Sequence, residues 1–370
     1  MGLFSCGGLF FFLNVDADRS TETASVRVTA TASESASAPA LVPPALSSGE
    51  VINSLPTTDA ATQKDGLIAE FSPKGQPVRA LVFSPDNKFL FVATQDSIQV
   101  FDLEKKSQVG EVQDVDEDVC INTLAVTPDG LKLISCGRIK YLGRIEIWSI
   151  EKNGSLSSRG RYIGHASEVN SIAISPDSKF VLTGDKRNQA IMWEIEKLRM
   201  VMMTWGSSEV EVCFAPDGIQ AFVSDGENLI RIDVPRRQEL ERWMYGSSGK
   251  DGLVFSDDAK RIAYLEGKDL KIFATKNSAL ICDLPGRLGA SEAKWVMAFH
   301  PDGNHLFTGS DKLKIWDIEN RTILQEVELD KIESIESIDI SRDGSTFAIS
   351  ANGGSIVRIY KSPIPAIKVK

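Results

Sequence analysis

From residue 78 onward, apolar and polar residues alternate with a period of two, in short runs that end on one recurring phrase. Such alternation marks strands with one face buried and the other wetter. The phrase is Leu81-Val-Phe-Ser-Pro-Asp86, then Leu124-Ala-Val-Thr-Pro-Asp129, Ile172-Ala-Ile-Ser-Pro-Asp177 and Val212-Cys-Phe-Ala-Pro-Asp217. It continues as Leu253-Val-Phe-Ser-Asp-Asp258, Met297-Ala-Phe-His-Pro-Asp302 and Ile338-Asp-Ile-Ser-Arg-Asp343. The closing aspartates at 86, 129, 177, 217, 258, 302 and 343 are spaced by 43, 48, 40, 41, 44 and 41 residues. Each phrase predicts a strand running into a tight turn, because proline pre-sets φ and the aspartate can accept from backbone N–H groups ahead of it.

A second landmark follows each aspartate: Phe101-Asp102, Trp148-Ser149, Trp193-Glu194, Ile232-Asp233, Phe273-Ala274, Trp316-Asp317 and Tyr360-Lys361. Seven units in phase at this spacing resemble the WD40-repeat family, over residues 66–365. The resemblance implies an all-β fold, a single seven-bladed WD40-type β-propeller in which neighbouring blades cover each other's apolar faces. Leu81/Phe83, Leu90/Val92 and Ile98/Val100 are positions suited to those faces. Ser107–Gln113, Leu198–Trp205 and Thr322–Leu329 are suited to outer strands. The seventh unit ends in Ser-Pro-Ile-Pro, which pairs poorly. In the WD40 family the start of the chain completes the last blade, and the resemblance assigns residues 66–72, with Leu67–Phe71 at their centre, to that closing strand. The expected organisation is a 1–64 extension, a 65–365 propeller and a 366–370 tail.

The same family places a Gly-His, an acid and a Ser/Thr in a hydrogen-bonded set with the tryptophan of the blade. Blade 3 keeps most of it in Gly164-His165, Thr183 and Trp193, with Arg187 expected at the acidic position. Blade 6 has Thr308 and Trp316, but Gly289-Ala290 where Gly-His would stand. These residues are read as structural.

Composition changes the picture mainly at the N-terminus. In Ser20–Ser48, 21 of 29 residues are Ser, Thr, Ala or Pro, which predicts disorder because too little apolar surface is available to offset ordering entropy. Ahead of it lies the apolar Met1–Leu13 stretch. It leaves three readings open: a signal peptide within residues 1–17 lacking its basic start, a lipid anchor at Gly2 and Cys6, or a terminus with no address. No apolar run is long enough for a spanning helix. The expected location is cytoplasmic or nuclear, or secretory if residues 1–17 are a signal. A net charge of −10 argues against direct nucleic-acid binding. Cys120 and Cys136 end two strands joined by one turn and are candidates to face one another.

No catalytic, cofactor or metal site is assigned. His300 and His305 flank one turn, but without a carboxylate pair they make a poor metal site. What remains is a basic patch: Arg138, Lys140, Tyr141 and Arg144 in the longest inter-strand loop of blade 2, with Lys186 and Arg187 from blade 3. Clustered guanidinium groups beside an aromatic suit an acidic or phosphorylated peptide. The function expected is a non-catalytic protein–protein interaction scaffold within a larger assembly. One alternative is a lactonase- or hydrolase-like propeller enzyme with a metal in its central channel. The other is a subunit of a ribosome-assembly or RNA-processing complex, since Asp116–Asp129 is similar to the propellers of small-subunit ribosome-assembly proteins.

Overall fold

The computed structural model describes residues 66–367, apart from 76, 114–117, 226, 245–250, 267–268, 278, 285–295 and 328. Residues 1–64 and Gly289-Ala290, with the expectations stated for them, lie outside these. The described residues form seven antiparallel sheets of four strands each. Blades 1 to 6 occupy residues 80–113, 119–163, 169–205, 211–244, 251–284 and 296–327. Each takes its four strands from consecutive chain, running from the innermost to the outermost. The innermost strands touch in ring order, and that of blade 7 meets that of blade 1, so the sheets form a closed circle.

Blade 7 is assembled differently. Its inner three strands are Ile335–Ile340, Thr346–Ala351 and Ile356–Lys361, and its outer strand is Leu67–Phe71 from the other end of the chain. Phe71 pairs with Val357, and Arg358 reaches Glu70 at 2.6 Å while donating to the Asp330 carbonyl. Phe71 also packs on Phe101 of blade 1, with ring centroids 4.4 Å apart.

The core lies between sheets, as a two-layer solution requires when each sheet is apolar on both faces. Leu81, Phe83, Leu90 and Val92 pack with Ala348, Val357 and Ile359 of blade 7. Ile98 and Val100 turn the other way, onto Val119, Ile121 and Leu124 of blade 2.

The repeated turns explain the recurring phrase. Ser84 Oγ donates to Asp86 Oδ1 at 2.6 Å and accepts the Phe89 N–H at 2.9 Å. The Ser-x-Asp link recurs at Ser175/Asp177, Ser256/Asp258 and Ser341/Asp343, and Thr127/Asp129 does the same. Blade 4 has Ala215 there and blade 6 has His300, so their turns lack the hydroxyl.

In blade 3, Trp193 Nε1–H donates to Thr183 Oγ1 at 2.8 Å, and Thr183 lies 2.8 Å from His165 Nε2. His165 Nδ1 faces Asp185 Oδ2 at 3.3 Å. A carboxylate only accepts, so the proton sits on Nδ1 and Nε2 accepts from the threonine. The acidic member is therefore Asp185, not Arg187 as the sequence reading had it. Asp185 Oδ1 accepts the N–H groups of Arg187, Asn188 and Gln189, which turns the Arg187 side chain outward from the set. Among the described residues, blade 6 keeps the Trp316 to Thr308 bond of this set, at 2.9 Å. Cys120 and Cys136 do not face each other: the strand pairing puts Arg138 opposite Cys120 and Thr123 opposite Cys136, which sets the two thiols out of register. Both thiols are free.

Deleting residues 1–75 removes the outer strand of blade 7 with its ladder, Ala69 and Phe71. Differential scanning calorimetry should record a fall on the order of 10 °C. Burial works to raise the Asp185 carboxyl, but hydrogen bonds from His165 and three backbone N–H groups outweigh it and hold it below the usual range. A lowered folded-state pKa gives stability that is present above the unfolded value and lost as pH falls through the folded one. Asp185→Ala should thus cost about 2–4 kcal/mol at neutral pH by urea melts. The gap to wild type should narrow below about pH 4.

Candidate functional site

Antiparallel winding puts the Pro-Asp turns on one face of the ring and the hairpins between second and third strands on the other. On the hairpin face, blade 2 stands out. Its second and third strands, Lys132–Ile139 and Leu142–Ile150, are 8 and 9 residues long, against 6 and 6 in blade 3. At roughly 3.3 Å per residue the blade 2 hairpin has the longer reach. Its tip is Lys140-Tyr141, with Lys140 in the left-handed region at φ 55°. Gly137 at its base is required, because a Cβ there would come within 1.9 Å of the Cys120 carbonyl oxygen.

Arg138, Lys140 and Tyr141 share a recess of ≈ 420 Å³ with Lys186 and Arg187 of blade 3 and with Ser167 and Glu168 of the loop entering it. Tyr141 is 90% exposed, a large aromatic held at a hairpin tip with its ring in water. Glu168 sits among the cations. It pairs with Arg138 Nε at 3.4 Å and with the Lys186 ammonium. Lys140 and Arg187 have no ion pair among the described residues. Four cations therefore surround one carboxylate, and exposed pairs of this kind are worth little, so an incoming anion can compete with Glu168 for both partners.

Two members of this arrangement depart from the sequence reading. Arg144 does not reach the recess: it is buried in blade 2 and paired with Glu146, which also accepts from Ser158 at 2.7 Å. Alternation along the strand decides this, since Arg144 lies on the same face as Trp148, whose indole packs toward blade 1. Glu168 was missed, because its place in an entering loop carries no motif. His165, Thr183 and Trp193 are buried and belong to the interior of blade 3.

The central channel, ≈ 750 Å³, is lined by the innermost strands of six blades and carries Asn170, Glu211, Asp257, Asp339 and Arg342. Among the described residues, the one trio of His, Asp, Glu or Cys groups close enough to share a metal ion is His300, Asp302 and His305, in a turn of blade 6. The channel carboxylates do not form such a group. Asp339 accepts the Phe83 N–H at 2.9 Å, which ties blade 7 to blade 1. Burial, with a contribution from Asp257, lifts its carboxyl to about 7 against the pull of the Phe83 and Ile340 N–H groups. A raised carboxyl loses stability as pH rises from the unfolded value toward the folded one. Asp339→Asn keeps the acceptor without the charge, so its melting temperature should exceed wild type at pH 8. That advantage should shrink toward pH 5, as read by thermal melts across the range.

Comparison with known proteins fits this geometry. The model of the WD40 family (WD domain, G-beta repeat) matches residues 66–102, 156–194 and 286–317. Each match ends on the third strand of a blade, at Asp102, Glu194 or Asp317. The chain is 28% identical over 142 residues to pre-mRNA-processing factor 19 homolog 2 of Arabidopsis thaliana, covering 38% of this chain and 26% of that protein. It is 22% identical over 179 residues to protein groucho of Drosophila melanogaster, covering 47% and 24%. It is 33% identical over 101 residues to GID complex subunit 7 of Schizosaccharomyces pombe, covering 26% and 19%. These matches span about a quarter or less of each relative. Three in-phase repeat matches on a closed ring of seven four-stranded blades make this chain a WD40-repeat β-propeller.

Proposed function

We propose that this propeller is a non-catalytic interaction scaffold, which docks an acidic or phosphorylated segment of a protein partner on the recess between blades 2 and 3. The observation that carries the reading is the juxtaposition of Arg138, Lys140, Lys186 and Arg187 around one carboxylate, beside the exposed ring of Tyr141. Guanidinium groups give paired, directional bonds to carboxylate or phosphate oxygens, and the tyrosine supplies contact area at low entropic cost. The hairpins are anchored in a closed ring, so little ordering is needed on binding. The similarity to a GID complex subunit and to a small ribosomal subunit protein of Caenorhabditis elegans supports a place in an assembly. A cytoplasmic or nuclear location goes with that reading. The net charge of −10 supports association through protein rather than directly through nucleic acid.

Replacing Arg138, Lys140, Lys186 and Arg187 by glutamate should weaken binding of phosphoserine-rich acidic peptides by at least tenfold in fluorescence polarisation. Far-ultraviolet circular dichroism should be unchanged. Raising salt should weaken the wild-type complex. Equal affinity of both proteins for every such peptide, together with an identical set of co-purified partners, would sink the proposal.

A further inference from the structure

The turn of blade 6 departs from the others at one position, and the departure builds a site. Where five of the other blades place a serine or threonine hydroxyl and blade 4 an alanine, blade 6 places the imidazole of His300, fully buried, against the turn of blade 7. Its Nε2 lies 3.2 Å from the Gly344 carbonyl oxygen. The approach is close enough that a Cβ on Gly344 would come within 2.2 Å of that nitrogen. Its Nδ1 lies 3.0 Å from Asp302 Oδ2. His305 Nδ1 lies 2.7 Å from the same oxygen.

His300 therefore faces two acceptors, the Gly344 carbonyl and the Asp302 carboxylate, and one donor, the Asp302 N–H at 3.3 Å from Nδ1. A neutral imidazole carries one N–H, so it can serve the Gly344 carbonyl or the Asp302 carboxylate but not both. His165 in blade 3 meets no such conflict, because its second nitrogen faces a hydroxyl that can donate. With the Nε2–H given to Gly344, the Nδ1 lone pair faces the Asp302 N–H and carboxylate together, and the His305 Nδ1 completes a set of three ligand atoms within 4.8 Å of one another. We propose that this trio, His300 Nδ1, Asp302 Oδ2 and His305 Nδ1, binds a divalent transition-metal ion of the zinc class.

The surroundings are those of a metal site. Zinc takes imidazole nitrogen and carboxylate oxygen at about 2.0–2.2 Å, which sets tetrahedral ligand atoms roughly 3.3–3.6 Å apart, a separation the trio reaches by a small outward shift of Asp302. Metal-bound histidines ordinarily give their other N–H to a backbone carbonyl, as His300 does to Gly344. Asp302 is held by its second oxygen, which accepts the N–H groups of Asn304 at 2.8 Å and His305 at 3.1 Å. His305 and Asp302 are partly exposed, which gives an ion an entry path and leaves a fourth position for water or a partner's side chain. Three ligands from one turn, one of them bonded to blade 7, would clamp blades 6 and 7 together. The sequence reading set these histidines aside for want of a carboxylate pair, whereas the single carboxylate of Asp302 reaches both of them.

The test uses the full-length protein after dialysis against a chelator, titrated with zinc chloride by calorimetry and with cobalt(II) by absorption. The wild type should take up one zinc per chain with at least micromolar affinity and melt at a higher temperature when loaded. Its cobalt form should show d–d bands without thiolate charge transfer. His305→Gln removes only the partly exposed ligand, and should weaken zinc at least tenfold while the metal-free melting temperature stays near wild type. Asp302→Asn should weaken it likewise. Absence of stoichiometric uptake by the wild type, thiolate charge transfer, or unchanged affinity in His305→Gln would each overturn the assignment.

Discussion

The structure rests on mutual cover. Each blade is apolar on both faces, so neither face is satisfied by the sheet's own strands. Leu81, Phe83, Leu90 and Val92 need blade 7 on one side, while Ile98 and Val100 need blade 2 on the other. A blade taken alone would expose both sets to water, at roughly 25 cal/mol for each Å² of apolar area. Cover becomes complete only when the circle shuts, and so the pairing of Leu67–Phe71 with Ile356–Lys361 governs far more than one sheet. Glu70, Arg358 and the Asp330 carbonyl reinforce that seam from the polar side.

Given a closed ring, its edges are free to vary. The Pro-Asp turns hold one face to a common geometry, with a hydroxyl and a carboxylate in most blades. On the other face the hairpins share no such phrase, although Asp185 and Asp225 cap those of blades 3 and 4. Blade 2 uses that freedom for longer strands and a basic tip, and blade 3 sets Lys186 and Arg187 opposite. The tetrad of blade 3 lies just beneath, where Asp185 caps the turn that carries Arg187. Stability and surface chemistry thus meet in one residue, the carboxylate that accepts from His165 and from the recess-lining hairpin.

Strand positions and blade count could be read from the sequence because alternation and turn residues act locally and recur seven times. The pairings that cross blades could not. Arg144 looked like a surface cation by its neighbours in sequence, yet the alternation that placed Ile145 and Ile147 in the core placed Arg144 on the opposite face, under blade 1. Asp185 was overlooked for Arg187 by two positions, which is the difference between a side chain held inward by three N–H groups and one facing solvent. Glu168 lies 30 residues from Arg138, and nothing in either local segment signals their meeting. Cys120 and Cys136 are kept apart by the strand register itself, which puts Arg138 opposite Cys120.

The family repeat and the folded blade are offset by one strand. The match over 156–194 takes in the outer strand of blade 2 and the three inner strands of blade 3, so covalent chain crosses every boundary between blades. The only break in that continuous girdle lies within a sheet, where Lys361 N–H meets the Gly66 carbonyl at 2.8 Å and the strands run antiparallel. Tension applied to the two chain ends would therefore not peel blade from blade. It would load a single ladder of backbone hydrogen bonds, making that seam the mechanical fuse of the whole ring.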